Sequence, residues 1–578
     1  MTATRVDTAE PELLTRVLGA LLREDVVGLR TRSALTERAD GRWLRLPVGL
    51  SDAVLLPVVE DGFQYAYTAR LPFLVREGDG TRLTTCESIL GELRALAEPV
   101  DRDGFDAFAE ECRQTLATMR LHHTTRESVR DALADRYGPD PAHWTGLARS
   151  LAYDTLAARL DHPVYPTARG RSGLREKQLR SYAPEFGRRF ALRWLALPRE
   201  TITGELPTDH WPTPSGLGLR ADLDSTHVAL PVHPLTVGAP LDAALRETGL
   251  ADRAVLAERA YLDVVPTLSM RTVAVADDPT LHLKLPLATA TLGLRNKRSI
   301  KPGTLVDGAA GQRLLAAVTD REPRFRDSVL HADETGYAHA GHELLAVLCR
   351  RYPEGLDNSL VVPLAALLAE APGGGLVVDH LADRFHDGDP LALLDAVLTL
   401  LFDWQTTLFG YGIALESHQQ NISLVLGPEP GDLRLLLKDN DGPRINSARL
   451  AATLGGGTWG FDDPRTFGPD DSAVADVFTT ITLHLCAGAY AFGLARHGRA
   501  PLPDLLNLVR DRLAEAVDRI GGDAGAVLRE RVLDAPWLPV KAMVTAGTLL
   551  SKERSGAADI NKHYTTGPNY LLRAGGSP

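Results

Sequence analysis

The apolar residues of the chain recur with a helical period near both ends and with a strand-like period in the middle. Between residues 11 and 160 helical spacing dominates, and only Gly49 to Tyr67 has the pattern of a strand. The first helical stripe consists of Leu13, Leu14, Val17, Leu18 and Leu21. This pattern predicts a mostly helical N-terminal region.

From about Asp161 the sequence pattern changes to Pro- and Gly-rich loops. Between them lie stretches of alternating apolar residues, typical of strands, at residues 226–232 and 261–291. Helical periodicity returns after Arg350, at residues 391–408 and 474–494, and a β-hairpin is predicted between these two stretches. Its arms are 422–426 and 433–438 and its turn is Gly427 to Asp432.

These elements predict an α+β fold with a sheet-bearing middle and a mostly helical C-terminal region that contains a β-hairpin. Because 578 residues exceed one ordinary core, we expect several sub-domains. The predicted boundaries are 1–150 for the helical domain, 151–340 for the β-rich domain and 341–578 for the mainly helical domain.

Composition and charge exclude several classes of protein. The 63 Lys and Arg against 75 Asp and Glu give a net charge of -12, which argues against binding to nucleic acid or anionic membranes. The four cysteines are far apart and form no CxxC pair, so a reduced, cytoplasmic setting is expected. No export signal or membrane span is predicted, since the best apolar run, Leu391 to Phe402, is interrupted by Asp395.

A first group of candidate site residues lies in the predicted strands around residue 280. If Leu268 to Val275 is extended, Ser269 and Arg271 share one face, and Lys284 lies opposite a leucine stripe on the next strand. Thr291 and Arg295 follow downstream. Cations beside hydroxyls suit a polyphosphate or polycarboxylate, although a solvated strand face followed by a basic turn would have the same pattern.

A second group interrupts apolar sequence between Ile413 and Leu424. In an extended segment Glu416, His418 and Gln420 share one face, and Asn421 opens the hairpin, across which lies Asp439. Mg²⁺ takes oxygen ligands, so Glu416, Asn421 and Asp439 are candidate ligands and His418 is a candidate substrate contact. A lone histidine is more often structural, but this cluster breaks an apolar run, which favours a site.

A third feature is a pair of Pro-bracketed segments, His162 to Gly173 and Leu230 to Pro234. Proline restricts its own φ and the residue before it, so these segments predict rigid loops at a cleft, with ordinary turns as the alternative.

Taken in chain order, these segments resemble the motifs of the NRPS-independent siderophore synthetases, the IucA/IucC family, from about residue 150 to the C-terminus. The segments that carry the resemblance are His162 to Gly173, His233-Pro234, Ser269-Met270-Arg271-Thr272, Lys284-Leu285-Pro286, Glu416 to Asn421 and Lys438-Asp439. Five residues depart from the motifs. Tyr165 stands where a second His is usual, Arg169 replaces Lys, Leu235-Thr236 replace Trp-Gln, and Lys438 replaces Arg.

The resemblance implies a cupped-hand fold of thumb, fingers and palm, usually dimeric. It implies that citrate or a related di- or tricarboxylate attacks the α-phosphorus of Mg-ATP, which releases pyrophosphate, and that an amine or alcohol then takes the acyl group. A C-terminal stretch around Lys541 and from Asn561 to Tyr570 also resembles a family segment near the active site.

The resemblance and the charges together assign roles. The expected ATP contacts are Ser269, Arg271, Thr272, Lys284, Glu416, Gln420, Asn421 and Asp439. The expected carboxylate contacts are His162, Arg171, Thr291, Arg295 and His418, with Arg298 competing with Arg295. His418, Arg295 and Lys284 are the expected catalytic residues, and no covalent nucleophile is evident.

Two other functions stay open from the residues alone. His418 and Asn421 followed by Asp439 imitate the catalytic loop and metal-binding Asp of a kinase, but the loop lacks an Asp and no Gly-rich phosphate loop precedes it. A non-catalytic carboxylate-binding protein would use the same cations, but Glu416 and Asp439 would then oppose the ligand.

Overall fold

The fold combines helices with five β-sheets in the described part of the chain, which confirms the α+β class. The computed structural model describes residues 7–49, 52–207, 209–429, 431–456, 459–555 and 563–575.

The N-terminal region begins with helix Ala9–Arg23, which buries the predicted leucine stripe. Three more helices, Cys86–Leu96, Arg102–Tyr137 and Leu147–Ala157, complete its helical part. Between them lies an antiparallel six-stranded sheet, larger than the single predicted stretch. Its strands are Ala34–Arg38, Gly41–Val48, Asp52–Glu60, Tyr67–Ala69, Leu74–Arg76 and Arg82–Leu83. Strand Ala34–Arg38 is almost fully exposed and therefore shows no apolar alternation.

A nine-stranded sheet dominates the middle of the chain and includes the predicted strands near 227–232 and 261–284. Its main path runs through Val255–Leu256, Phe190–Pro198, Tyr261–Pro266, Thr272–Val275, Leu281–Lys284, Ala346–Arg351, Asp333–His339 and Thr203–Gly204. Strand His227–Val232 pairs with Phe190–Pro198. The sheet extends past residue 340, and the three-domain division stays a prediction.

The predicted hairpin of the C-terminal region is confirmed. Strands Ile422–Leu426 and Leu433–Leu437 pair antiparallel, with Ile422 opposite Leu437. They join Leu360–Pro363 and Val329–His331 in a four-stranded sheet. Pro430, in the predicted turn, lies outside the described residues.

The remaining elements are helices around this hairpin and two small sheets. The small sheets contain Ile413–Ala414, Arg444–Asn446 and Phe467–Gly468 in one, and Trp537–Lys541 and Tyr564–Pro568 in the other. The other α-helices are Glu176–Tyr182, Leu223–Thr226, Ala239–Glu247, Pro302–Arg321, Val377–Phe385, Pro390–Gly410, Ser447–Leu454, Ser472–Val477, Ala489–Arg496, Leu502–Ile520, Gly522–Leu528 and Lys552–Ser555. A π-helical segment, Phe478–Gly488, joins two of these helices into one.

Two helices are long and apolar enough to cross a membrane by composition alone. They are Pro390–Gly410 and Ser472–Arg496, and 61% and 100% of their most apolar windows are buried inside the fold. Both supply residues to the main hydrophobic core, for example Leu401 and Leu485. Burial of this extent is what core helices of a large fold show.

The hydrophobic core explains how distant parts of the sequence come together. One continuous cluster unites the first helix with the C-terminal helices, from Leu13 through Leu401 to Leu571. A second cluster lies against the nine-stranded sheet and includes Leu192 and Leu283. Side chains that line the cavity described next come from segments that belong to both.

Candidate active site

A cavity of about 340 Å³ gathers most of the candidate site residues from distant segments. The candidate residues that line it are His162, Arg171, Ser269, Arg271, Lys284, Thr291, Arg298, Glu416, His418, Gln420, Asn421 and Asp439. Thr272 and Arg295 are not among the lining residues. Lys541, from the C-terminal strand Trp537–Lys541, also lines the cavity.

Lys284 and Asp439 form the charged centre of the cavity. Lys284 ends strand Leu281–Lys284, and Asp439 follows strand Leu433–Leu437 in the left-handed backbone region, at φ 57°. Lys284 Nζ donates to Asp439 Oδ1 at 2.7 Å and lies 3.4 Å from Asp441 Oδ2. Burial by itself raises the pKa of Asp439, but the neighbouring cations Arg350 and Lys284 hold that pKa well below its usual value.

Arg350 is a buried cation that the motifs did not indicate. Its Nη2 donates to Asp439 Oδ1 at 2.6 Å, and its Nε donates to Glu334 Oε1 at 2.5 Å. Glu334 in turn accepts from the backbone N–H of Asp439 at 2.8 Å. Arg350 and Glu334 are each 1% exposed. This buried ion-pair network therefore fixes the left-handed backbone of Asp439 from the interior of the fold. The available sequence signal was a basic residue at the end of an apolar strand.

Residues 268–271, which precede strand Thr272–Val275, form a turn and not the predicted extended chain. The strand begins only at Thr272, and Met270 has a left-handed φ of 64°. Ser269 Oγ accepts from the backbone N–H of Thr272 at 3.1 Å, which closes the turn. Ser269 and Arg271 reach the cavity because of this turn, while Thr272 pairs with Lys284 inside the sheet.

Residues 416–421 also form a turn, so the predicted alternation of an extended segment is wrong there. The backbone N–H of Asn421 donates to the His418 carbonyl at 2.8 Å, and Asn421 Nδ2 donates to the Glu416 carbonyl at 3.3 Å. The turn brings all four predicted polar residues to the cavity. Asn421 Oδ1 is buried and has no hydrogen-bond donor among the described residues. Lys541 Nζ lies 3.8 Å from Glu416 Oε1.

The two cavity histidines are held as neutral hydrogen-bond donors. His162 Nδ1 accepts from the backbone N–H of Tyr165 at 3.1 Å, and His418 Nδ1 accepts from that of Gln420 at 3.3 Å. In a neutral imidazole the other nitrogen then carries the proton. Burial lowers the pKa of His162 to about 3 and that of His418 to about 4.

Arg295 and Arg298 lie in different environments. Arg295 Nη1 donates to the Ala546 carbonyl at 3.1 Å and also to the Leu550 carbonyl, so this side chain binds the C-terminal segment. Arg298 lines the cavity, and its Nε is buried without an acceptor in the described chain. Burial, followed by the nearby Arg271 cation, lowers the pKa of Arg298 to about 9.

The positions that depart from the family motifs lie behind the cavity wall. Tyr165 Oη donates to Glu111 Oε2 at 3.1 Å, and Thr236 Oγ1 donates to the Pro286 carbonyl at 2.8 Å. Arg169 Nε lies 2.7 Å from Asp161 Oδ1, and Lys438 is buried. None of these side chains, nor that of Leu235, is among those lining the cavity. The wall itself therefore retains the residue types of the motifs.

Comparison with known proteins identifies the middle of the chain. Residues 150–369 match the model of the IucA / IucC family. The chain carries an IucA/IucC-family domain. The resemblance drawn from the sequence motifs is thereby confirmed. Residues 392–555, C-terminal to the IucA/IucC domain, match the model described as ferric iron reductase FhuF-like transporter.

A named relative and a solved structure each match over almost the whole chain. Staphyloferrin B synthase from Staphylococcus aureus (strain NCTC 8325 / PS 47) is 24% identical, over 98% of this chain and 99% of the relative. The petrobactin biosynthesis protein AsbB from Bacillus anthracis str. Sterne superposes with a TM-score of 0.76 at 17% identity, over 98% of this chain and 96% of that one.

A second solved structure is ATP-bound aerobactin synthetase IucA from a hypervirulent pathotype of Klebsiella pneumoniae. Its TM-score is 0.70 at 20% identity, over 97% of this chain and 99% of that one. At these identities the two structures establish that the IucA/IucC domain and its flanking regions share the fold of these proteins, as the resemblance implied.

Proposed function

We propose that the protein uses ATP and Mg²⁺ to convert a carboxylic acid into an acyl-adenylate, and that it passes the acyl group to an amine or alcohol. The observation that carries this proposal is that one cavity contains two groups of side chains. One is a cluster of cations suited to phosphate, and the other is a separate wall with a cation and neutral hydrogen-bond donors, suited to a carboxylate. The similarity to proteins named staphyloferrin B synthase and ATP-bound aerobactin synthetase supports it.

The phosphate end of the cavity is formed by Arg271 and Lys284, with Ser269 beside them. Fixed cations stabilise negative charge as the α-phosphorus becomes pentacovalent, and they need no reorganisation because Asp439 and the Ser299 carbonyl already orient them. Asp439 keeps Lys284 in place through Oδ1 and lines the cavity. Catalysis would rest on positioning and charge.

Glu416, Asn421 and Asp439 would hold Mg²⁺. Asn421 Oδ1 fits this role because it is a buried oxygen that lacks a donor in the described chain. Among the described residues, no three His, Cys, Asp or Glu side chains form a metal cage, and Mg²⁺ commonly takes one or two carboxylates together with phosphate oxygens. When bound, Mg²⁺ would neutralise triphosphate charge.

The carboxylate end of the cavity would use Arg298, Thr291, His162 and His418. Arg298 would supply a charge-assisted hydrogen bond to the acid. The neutral histidines donate from Nε2 without adding charge, which suits orientation of a polycarboxylate next to a triphosphate. Arg171 lines the same wall, but its Nη2 already donates to Glu185 at 3.0 Å, so we assign it to the support of that wall.

The test is pyrophosphate release with Mg-ATP across citrate, α-ketoglutarate, succinate, malate and amino acids, each with hydroxylamine as the nucleophile. We expect release that depends on one acid, with AMP and the hydroxamate of that acid as products. Formation of ADP would instead indicate a phosphotransferase. Tight acid binding without nucleotide turnover would indicate a carboxylate-binding protein. Homodimerisation and a cytoplasmic location stay predictions.

The neutral histidines predict a pH profile without a histidine inflection. Because the pKa values of His162 and His418 are lowered to about 3 and about 4, both rings stay neutral throughout pH 5.5 to 8. We expect kcat/KM for the acid to show no inflection near the ordinary histidine value of about 6.5. An inflection near pH 6.5 that disappears in His418→Gln would contradict this assignment.

The two arginines predict different effects on the acid. Arg298→Met is expected to raise KM for the carboxylic acid about 10- to 100-fold, the value of one hydrogen bond to a charged group. Arg295→Met should raise that KM less, because the Arg295 backbone N–H still donates to the Gly547 carbonyl and keeps the segment in place. It should lower the thermal midpoint, because the Ala546 and Leu550 carbonyls lose a donor. The reverse order of the two KM effects would make Arg295 the substrate-binding arginine.

A further inference from the structure

Segment 291–298 supplies Thr291 and Arg298 to the cavity, and its contacts with the rest of the chain are concentrated at its tip, at Leu294 and Arg295. It contains no helix or strand, Leu294 at its tip is 49% exposed, and its local contacts are a short turn and the bridge between Ala290 and Lys297. An irregular exposed segment cannot hold two side chains in a fixed geometry unless something anchors its tip.

Glu111, in helix Arg102–Tyr137, anchors the tip at Leu294. Its Oε1 accepts from the backbone N–H of Leu294 at 2.8 Å and from the hydroxyl of Thr548. Its Oε2 accepts from Tyr165 Oη and from Thr167 Oγ1, both at 3.1 Å. Through four donors, one carboxylate thus joins three segments, at residues 165–167, 294 and 548, to helix Arg102–Tyr137. Burial raises the pKa of Glu111, and the hydrogen bonds from Thr548 and Tyr165 oppose that rise.

The backbone packing around Glu111 leaves little freedom. Gly293 has a φ of 110°, and a Cβ at this position would lie 3.0 Å from Gly547 Cα and 3.1 Å from Tyr165 Oη. The backbone N–H of Arg295 donates to the Gly547 carbonyl at 3.3 Å. Segment 291–298 and segment 545–550 therefore lie against each other, and Glu111 binds one residue of each.

We propose that Glu111 is a positioning residue that holds segment 291–298 so that Thr291 and Arg298 meet the carboxylic acid. The role rests on the proposed function, since it presumes that this wall receives the acid. Glu111 does not line the large cavity but a small separate one, which shares Thr291 and Leu292 with it. It acts through the segment and does not touch the substrate.

The anchor explains why Tyr165 replaces the usual histidine without altering the cavity wall. The phenol places a donor on Glu111 from a position that is fully buried and outside the large cavity. A second buried carboxylate, Glu24, holds the start of the neighbouring segment 545–550 in the same way. It accepts from the backbone N–H groups of Val544 and Thr545 at 3.1 Å and 2.8 Å. The N-terminal region thereby holds both segments that bound the site.

The test compares Glu111→Ala and Glu111→Gln with Glu110→Ala as the matched control. Glu110 is the preceding residue of the same helix, and its partners are Arg113 and Gln114 on that helix.

For Glu111→Ala we expect KM for the acid to rise about 10- to 100-fold, the scale of a small misplacement of binding groups. Affinity for a fluorescent ATP analogue should stay within about twofold, because Arg271 and Lys284 lie outside the segment. Glu111→Gln should be intermediate, since its amide oxygen still accepts from Leu294.

Amide hydrogen exchange supplies a readout that does not depend on activity. Exchange within 291–298 should increase in Glu111→Ala and stay at the wild-type rate in Glu110→Ala. Unchanged exchange, or equal losses of acid and nucleotide affinity, would overturn the positioning role. If wild-type protein shows no acid-dependent pyrophosphate release, the proposed function fails, and hydrogen exchange still decides whether Glu111 anchors the segment. Thr548→Val, which removes one donor to Glu111, carries the test if Glu111→Ala does not fold.

Discussion

Replacement of Lys284 by methionine is expected to lower the rate of acid-dependent pyrophosphate release by about 10²- to 10³-fold, the usual effect of removing one fixed transition-state donor. The variant should still fold. Lys284 is buried, but its partner Asp439 keeps a second cation, Arg350 at 2.6 Å, and methionine fills a similar volume. The measurement is single-turnover pyrophosphate release together with a thermal unfolding scan.

Lys297→Met is the matched control for Lys284→Met. Lys297 is an exposed cation in the same basic stretch of sequence and does not line the cavity. We expect Lys297→Met to release pyrophosphate at the wild-type rate. An equal loss of activity in both variants would mean that Lys284 acts through general charge and not through its position in the cavity.

The motifs predicted the cavity residues better than they predicted the backbone that presents them. Glu416, His418, Gln420 and Asn421 line the cavity as expected, but they do so through a turn and not through an extended strand. The six-residue run from Glu416 to Asn421 is polar at every position, so its apolar periodicity could not separate the two conformations. Hydrogen bonds within the run, such as Asn421 Nδ2 to the Glu416 carbonyl, decide the conformation.

Residues that support the site from behind were not predictable from local sequence. Arg350 and Glu334 are far from Asp439 in the chain. They meet each other because strands Ala346–Arg351 and Asp333–His339 pair in the nine-stranded sheet. They meet Asp439 only because the end of strand Leu433–Leu437, which belongs to the four-stranded sheet, lies beside them. Glu111 has no local signal either, because its four donors come from residues 165, 167, 294 and 548. Such contacts depend on the tertiary fold, which periodicity and motif spacing do not describe.

The N-terminal sheet was underestimated for a related reason. Strand Asp52–Glu60, with six consecutive buried residues from Ala53 to Val58, lies within the predicted stretch Gly49 to Tyr67. Strand Ala34–Arg38 of the same sheet is almost fully exposed, so it has no apolar alternation by which to recognise it. The short neighbouring strands Tyr67–Ala69 and Leu74–Arg76 are below the length at which a period can be measured.

Asp439→Asn is expected to destabilise the fold by about 3 kcal/mol at pH 7, because it leaves Lys284 and Arg350 buried without their shared anion. We also expect it to abolish detectable pyrophosphate release. Asp441→Asn is the comparison for stability. Asp441 lies 3.4 Å from Lys284, and its side chain is 33% exposed, so its replacement should cost no more than about 1 kcal/mol.

The stabilisation by Asp439 should depend on pH with a definite sign. Its pKa in the folded protein is held well below the ordinary value, so the folded state binds the proton less readily than the unfolded state. The contribution is therefore complete above the unfolded pKa of about 4 and is lost as the pH falls below it. The difference in thermal midpoint between wild type and Asp439→Asn should be constant from pH 7 to 5 and should shrink between pH 4 and 3. A difference that stays constant down to pH 3 would show that the ionised carboxylate is not the stabilising species.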